Sequence, residues 1–137
     1  MPNIEEIEGI GPVYAEKLRA AGVTTTEELL AAGGGPKGRD ELAEKTGIAG
    51  AHILRWVNHA DLMRIKGVGK QYAELLEAAG VDTVKELRNR NAENLTAKLK
   101  EVNDAKNLSG TSPSLSVVTG WIEQAKTMEP MVRYAGA

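Results

Sequence analysis

Cysteine and phenylalanine are both absent from this 137-residue chain, and aromatic residues make up only 4% of it. The lack of cysteine excludes a disulfide framework and a thiolate zinc site. Apolar runs stay well below the ~20 residues that a membrane-spanning helix needs. The first residues are acidic and lack the basic stretch and apolar segment of a signal peptide. We therefore expect a soluble, cytoplasmic protein without membrane contact.

Charge is distributed unevenly along the chain. The net charge is −2, which counts against a dedicated nucleic-acid module, because such modules are usually basic. Residues 1–60 hold six Lys and Arg against nine Asp and Glu, whereas residues 61–137 hold eleven against ten. Any phosphate-binding surface is therefore expected in the second half.

The chain repeats itself after 58 residues. Of the 25 residues at positions 7–31, 14 are identical to those at positions 65–89, far more than chance allows. A weaker echo, 65 residues apart, pairs the segments that begin at Trp56 and Trp121. These repeats predict a first unit over residues 1–60 with a Trp56 helix, a second unit over residues 61–128 with a Trp121 helix, and a loose tail over residues 129–137.

Helical signals dominate both units, because alternating β-branched runs are few. Asn3 and Asp61 stand where N-caps of short first helices are expected, and Thr25 and Thr83 precede a glutamate at the capping-box spacing. The glycine-rich segment 31–38 predicts a flexible loop. The predicted fold is all-α, with two pseudo-repeated units packed as one compact helical domain about an internal two-fold axis.

Each unit contains one glycine–aliphatic–glycine turn. We call residues 7–12 the first glycine turn and residues 65–70 the second glycine turn. The leading glycines, Gly9 and Gly67, are predicted to end a helix in left-handed backbone, which glycine adopts without strain. The glycine that follows in each turn opens the next helix and, having no side chain, leaves its amides accessible. Amides at a helix N-terminus suit an anion.

These turns and their surroundings, residues 7–23 and 65–81, resemble the helix-hairpin-helix motif. The wider layout over residues 4–128 resembles the domain of unknown function 4332 family, which implies a tandem helix-hairpin-helix fold. In helix-hairpin-helix proteins generally, the turn amides hold DNA phosphates without reading base sequence, and related hairpins elsewhere serve packing or protein docking. The name of the family leaves its role open.

The two turns differ in the charge around them. Pro12 and Val13 follow the second glycine of the first glycine turn and three glutamates surround the turn, so Gly9 and Gly11 are interpreted as structural. Basic residues flank the second glycine turn, although a solvated surface would look the same. The candidate nucleic-acid-binding residues are therefore Arg64, Lys66, Gly67, Val68, Gly69 and Lys70.

A further basic group follows the second glycine turn. Its members are Lys85, Arg88, Arg90, Lys98 and Lys100. Glutamates interleave with them, a pattern typical of a solvated helix face, and no aromatic residue does, so stacking of a single strand is not supported. The group either extends the phosphate-binding surface or is ordinary surface.

Neither a catalytic site nor a metal site is indicated. The chain has no nucleophile elbow, P-loop or dinucleotide fingerprint. His52 and His59 are seven residues apart, which separates them by about 10 Å along a helix, too far to share one metal ion. We therefore predict no enzyme activity, no cofactor and no metal.

Two functions remain open on the sequence. The first is non-enzymatic, sequence-independent binding of nucleic-acid backbone through the second glycine turn, with double-stranded DNA as the partner. The alternative is a protein-interaction or scaffolding module in which both hairpins only shape the fold. Its partner would be another protein or a second copy of the chain in a homodimer.

Overall fold

The computed structural model describes residues 2–134, and every regular element in that range is helical. One isolated bridge, between Asn3 and Thr25, is the only β-type pairing among these residues. The prediction of an all-α fold is confirmed. The described residues divide into two compact units, one comprising residues up to Asp61 and those from Met131 onward, the other comprising Leu62–Pro130.

The first unit contains a short 3-10 helix and four α-helices. They are the 3-10 helix Ile4–Glu6, α1 Pro12–Ala20, α2 Thr26–Gly33, α3 Pro36–Thr46 and α4 Gly50–Leu62, which ends one residue past the division. Asn3 caps the 3-10 helix in a capping box with Glu6, and Thr25 caps α2 in the same way with Glu28. Both caps agree with the prediction, because a capping box depends only on residues three positions apart.

The second unit contains the other four α-helices. They are α5 Lys70–Ala78, α6 Val84–Leu87, α7 Ala92–Lys106 and α8 Leu115–Lys126. Side chains of Asn91 and Ser114 cap α7 and α8. Apolar residues at helical spacing, such as Leu95, Leu99 and Val102, turn one face of α7 into the unit's core.

Asp61 does not cap a helix, so that prediction is wrong. Helix α4 continues through it to Leu62, and Asp61 is only 1% exposed. The buried residues Ile53, Val57 and Ala60 recur at helical spacing, and their packing keeps the chain helical past the position where a cap would stop it. The second unit therefore begins without a helix start like that at Asn3.

The glycine-rich segment is far shorter as a loop than the sequence predicted. Helix α2 extends to Gly33 and α3 begins at Pro36, leaving Gly34 and Gly35 between them. Proline suits the first position of a helix, where its missing N–H costs nothing. A Cβ on Gly34 would lie 2.5 Å from the carbonyl oxygen of Met131. Glycine is therefore required here by close approach of another segment.

That segment, residues 131–134, is bound to the first unit and is called the C-terminal strap. The Arg133 N–H donates to the Gly34 carbonyl oxygen at 2.7 Å. The buried side chain of Arg39 donates to the carbonyl oxygens of Gly34, at 3.0 Å, and Arg133. The strap differs from the predicted loose tail because these backbone groups hold it, and residues 135–137 lie outside the described residues.

Candidate functional site

The leading glycine of each turn packs against a buried tryptophan. Gly67 has a φ of 99°, and a Cβ placed on it would lie 3.2 Å from the Trp121 indole nitrogen. Gly9 has a φ of 95°, with the corresponding distance to the Trp56 nitrogen at 3.1 Å. The predicted left-handed backbone is present in both turns, and the indole contact is a second reason for glycine.

A tyrosine from the following helix completes each tryptophan contact. The ring centroids of Tyr72 and Trp121 lie 5.2 Å apart with planes inclined by 59°. Those of Tyr14 and Trp56 lie 5.0 Å apart at 60°. Such tilted aromatic pairs contribute stabilisation in addition to that from the apolar area that they bury. Each glycine turn is therefore packed against a tryptophan that its tyrosine holds in place.

Gln124 holds the second glycine turn by its backbone. The Lys66 N–H donates to Gln124 Oε1 at 2.8 Å, and Gln124 Nε2 donates to the Lys66 carbonyl oxygen at 3.1 Å. Sequence reasoning missed this residue. The weaker sequence repeat at a shift of 65 residues could have pointed to it. That repeat aligns Gln124 with His59, and both are polar residues three positions after a tryptophan.

Val68 does not belong to an anion-binding surface. Its side chain lies in the core of the second unit, and its N–H donates to the Ile65 carbonyl oxygen at 3.0 Å. The prediction that the Val68 amide takes a phosphate is therefore corrected. The Lys66 amide is also engaged, since it donates to Gln124, so neither of these two amides is offered to an anion.

Gly69 leaves the start of α5 open. It is the N-cap residue in extended conformation, and no side chain of the described residues caps the helix. A Cβ built on Gly69 meets no atom within 4 Å. The opening N–H groups of a helix have no partner within the helix, and they carry the positive end of its dipole. This end of α5 can therefore accept an anion of moderate size.

Cationic side chains flank this opening unequally. Lys66 and Lys70 are exposed, whereas Arg64 is half-buried. Arg64 and Lys70 each take part in an interaction within the chain. The structure thus brings Lys66, Gly69 and Lys70 together on the outside of the turn and places Val68 inside.

The first glycine turn has a different chemistry. Pro12 occupies the first position of α1 and supplies no N–H. Glu5 forms an ion pair with Arg19 at 2.7 Å, and Glu6 accepts the Asn3 N–H at 2.8 Å. Glu5 and Glu6 therefore each have a structural contact within the first unit.

The further basic group is mostly engaged with neighbouring groups. Lys98 lies 3.8 Å from Glu101, and Lys100 lies 2.9 Å from Asp104. Arg90 donates to the Gly80 carbonyl oxygen at 2.8 Å. Exposed ion pairs of this kind contribute little to stability. For Lys100, which has the closer ion pair, this fits the interpretation of a solvated helix face.

The described residues contain neither a metal-binding group of side chains nor a membrane-spanning helix. In residues 2–134, no three His, Asp or Glu side chains are grouped so that they could hold a metal ion. Within the same range no helix combines the length and apolar character needed to cross a membrane.

In the first unit, the Thr24 hydroxyl holds the pKa of Glu28 below its usual value, and burial lowers the pKa of Arg39.

Comparison with models of protein families identifies the family of the chain. The family described as Domain of unknown function (DUF4332) matches residues 8–128, which confirms the resemblance inferred from the sequence. No curated protein and no solved structure matches the chain.

Proposed function

Since the chain belongs to the DUF4332 family, whose description assigns no activity, we propose from its geometry that it binds nucleic-acid backbone. The binding is non-enzymatic and independent of base sequence. A phosphate of double-stranded DNA lies against the opening amides of α5, and the side chains of Lys66 and Lys70 add positive charge.

The open N-terminus of α5 is the observation that carries this proposal. No side chain of the described residues caps it, and the space beside Gly69 is empty to 4 Å. Anions bind at such helix ends because N–H groups that have no partner within the helix and the helix dipole act together. The exposed lysines Lys66 and Lys70 lie next to this helix end in the sequence, and the ammonium group of lysine attracts phosphate as a positive point charge.

Fluorescence anisotropy of a labelled duplex of random sequence tests the proposal. About two phosphates neutralised by Lys66 and Lys70 give a salt slope of roughly −0.9 each, so affinity should fall about 12-fold between 50 and 200 mM salt. Absence of binding at 50 mM salt, or binding that salt does not weaken, contradicts the proposal.

A serine at Gly69 separates binding from folding. Gly69 is in extended backbone with φ −102°, which any residue adopts, and serine is a better N-cap than glycine by a few tenths of a kcal/mol. Gly69→Ser should therefore preserve stability while its hydroxyl occupies the amides that phosphate needs. We expect duplex affinity to fall about tenfold, the loss of roughly one charge-assisted hydrogen bond.

Gly11→Ser is the matched control for that substitution. Gly11 is likewise an uncapped N-cap residue with open space around it, but it lies in the first glycine turn. The duplex affinity of the Gly11→Ser variant should stay within about twofold of that of the wild type. Equal losses in the two variants would place binding elsewhere and reject the second glycine turn as the site.

A protein-interaction module is the second candidate, and Val13 favours it. This residue follows the first glycine turn and is 68% exposed, a high value for a large apolar side chain next to exposed Gly11 and Pro12. If the chain associates with itself through this turn, light scattering should show a dimer that Val13→Asp dissociates. A monomeric wild type at about 100 μM, well above a micromolar dissociation constant, contradicts self-association.

A further inference from the structure

A shallow depression of about 380 Å³ lies in the second unit at the C-terminal end of α5. Three asparagines, Asn89, Asn91 and Asn94, line it together with Arg90 and Lys98. Asn91, the N-cap residue of α7, is followed by Asn94 and Lys98 at spacings of three and four residues, which places all three along one side of this helix. The depression thus combines two cations with three amide side chains.

Hydrogen bonds fix several of these groups in orientations that favour donation. Asn91 Oδ1 accepts the Asn94 N–H at 3.0 Å, so the oxygen of that side chain is engaged and its NH₂ group is left for a ligand. Arg90 Nη2 donates to the Gly80 carbonyl oxygen at 2.8 Å. That bond anchors the guanidinium, which carries five N–H donors in all.

Charge distinguishes this depression from one in the first unit. Among the described residues, none that lines the depression of the second unit is acidic. Lys98 has Glu101 at 3.8 Å, but both side chains are exposed and such a pair is weak. A depression of about 210 Å³ beside Gly22 holds Glu28 and Glu41 with one cation, Lys45. Positions 22 and 80 correspond in the sequence repeat, so related frameworks carry opposite charge.

We propose that the depression lined by Arg90, Lys98 and the three asparagines binds a phosphate group. A guanidinium and an ammonium together suit a dianionic phosphate, and the NH₂ groups of Asn91 and Asn94 add donors to its remaining oxygens. The Asn89 Nδ2 already donates to the Lys85 carbonyl oxygen at 3.1 Å, so Asn89 contributes to the lining rather than to the main donor set. The phosphate is carried either by a free nucleotide or by a nucleic-acid backbone. The site stands apart from the second glycine turn, because α5, nine residues long, separates them by about 13 Å along its axis.

Titration of the ¹⁵N-labelled full chain with inorganic phosphate tests the site, with chloride at matched ionic strength as the reference. We expect saturable shifts of the side-chain amide signals of Asn91 and Asn94. Lys98→Glu should weaken phosphate binding at least about tenfold, and Asn94→Asp, which puts a carboxylate into the depression, about as much. Lys100→Glu makes the same charge change outside the lining and should have less than about a twofold effect.

The proposal is overturned if phosphate produces no saturable shift, or if Lys98→Glu and Lys100→Glu weaken binding equally. Titration with adenosine monophosphate and with duplex DNA then separates the two sources of phosphate. Loss of only nucleotide binding in Lys98→Glu assigns the site to a free nucleotide, and loss of duplex binding as well assigns it to a backbone. Phosphate shifts that persist while no duplex binds would uphold this site and reject the proposed function.

Discussion

Gly67→Ala should destabilise the protein by about 2–3 kcal/mol. A non-glycine residue in left-handed backbone costs about 1–2 kcal/mol, and the φ of 99° at Gly67 lies beyond the centre of the left-handed region. The new methyl group would also lie 3.2 Å from the Trp121 nitrogen. That contact has to open by a few tenths of an ångström in a packed core, which adds up to about 1 kcal/mol.

Urea unfolding measures this loss. With a slope of about 1.5 kcal/mol per M, the midpoint should fall by about 1.3–2 M. Tryptophan fluorescence and far-ultraviolet circular dichroism should give coincident transitions if the unfolding is two-state. Gly9→Ala should lower the free energy of unfolding by a similar amount. Gly9 has a φ of 95°, and a Cβ built on it lies 3.1 Å from the Trp56 nitrogen.

Gly120→Ala is the matched control, because it makes the same chemical change with the opposite expected sign. Gly120 is exposed inside α8, and a Cβ there meets no atom within 4 Å. Alanine in an exposed helix interior is favoured over glycine by about 0.5–1 kcal/mol. A loss below about 0.5 kcal/mol for Gly67→Ala, or a change of the same sign in both variants, would refute the reasoning.

Three further predictions concern single side chains. Gln124→Leu removes both hydrogen bonds to the Lys66 backbone and should cost about 1–2 kcal/mol; unchanged hydrogen exchange of the Lys66 amide would contradict it. Arg39→Met removes three hydrogen bonds to backbone carbonyls, of which that of Gly34 keeps another donor, the Arg133 N–H, and it should lower the free energy of unfolding by about 2–4 kcal/mol, with thermal unfolding as the measure. Thr24 lowers the pKa of Glu28, so the stability that this pair contributes is present above the ordinary pKa of about 4.3 and is lost as pH falls through the lowered value. In Glu28→Gln the free energy of unfolding should therefore depend less steeply on pH at acid pH. Identical pH dependence in the wild type and the variant would count against this.

Features that depend on neighbouring residues were predictable from the sequence. The left-handed glycines at positions 9 and 67 and the caps at Asn3 and Thr25 each follow from a few adjacent residues. Their physical basis is local, since a backbone region open to glycine or a side chain that reaches its own helix needs no distant partner. The position of Gly69 as the residue that opens α5 was predictable for the same reason.

Features that depend on distant contacts were not predictable. Asp61 is a residue type that favours the N-cap position, but packing of α4 keeps it inside that helix. Val68 follows a turn glycine, yet its side chain lies in the core and its amide bonds to Ile65. Gln124 is 58 residues from the backbone that it holds. In each case tertiary packing overrides a local preference, and a single sequence does not record which distant segments meet.

The C-terminal strap has a consequence for biosynthesis. The carbonyl oxygen of Arg133 accepts from Arg39, and its N–H bonds to Gly34, so the first unit gains these bonds only after residue 133 has been made. Bacterial and eukaryotic ribosomes add about 5–20 residues per second, and 72 residues separate Asp61 from Arg133. The unit that leaves the ribosome first is therefore completed last, some seconds after its own helices have been synthesised.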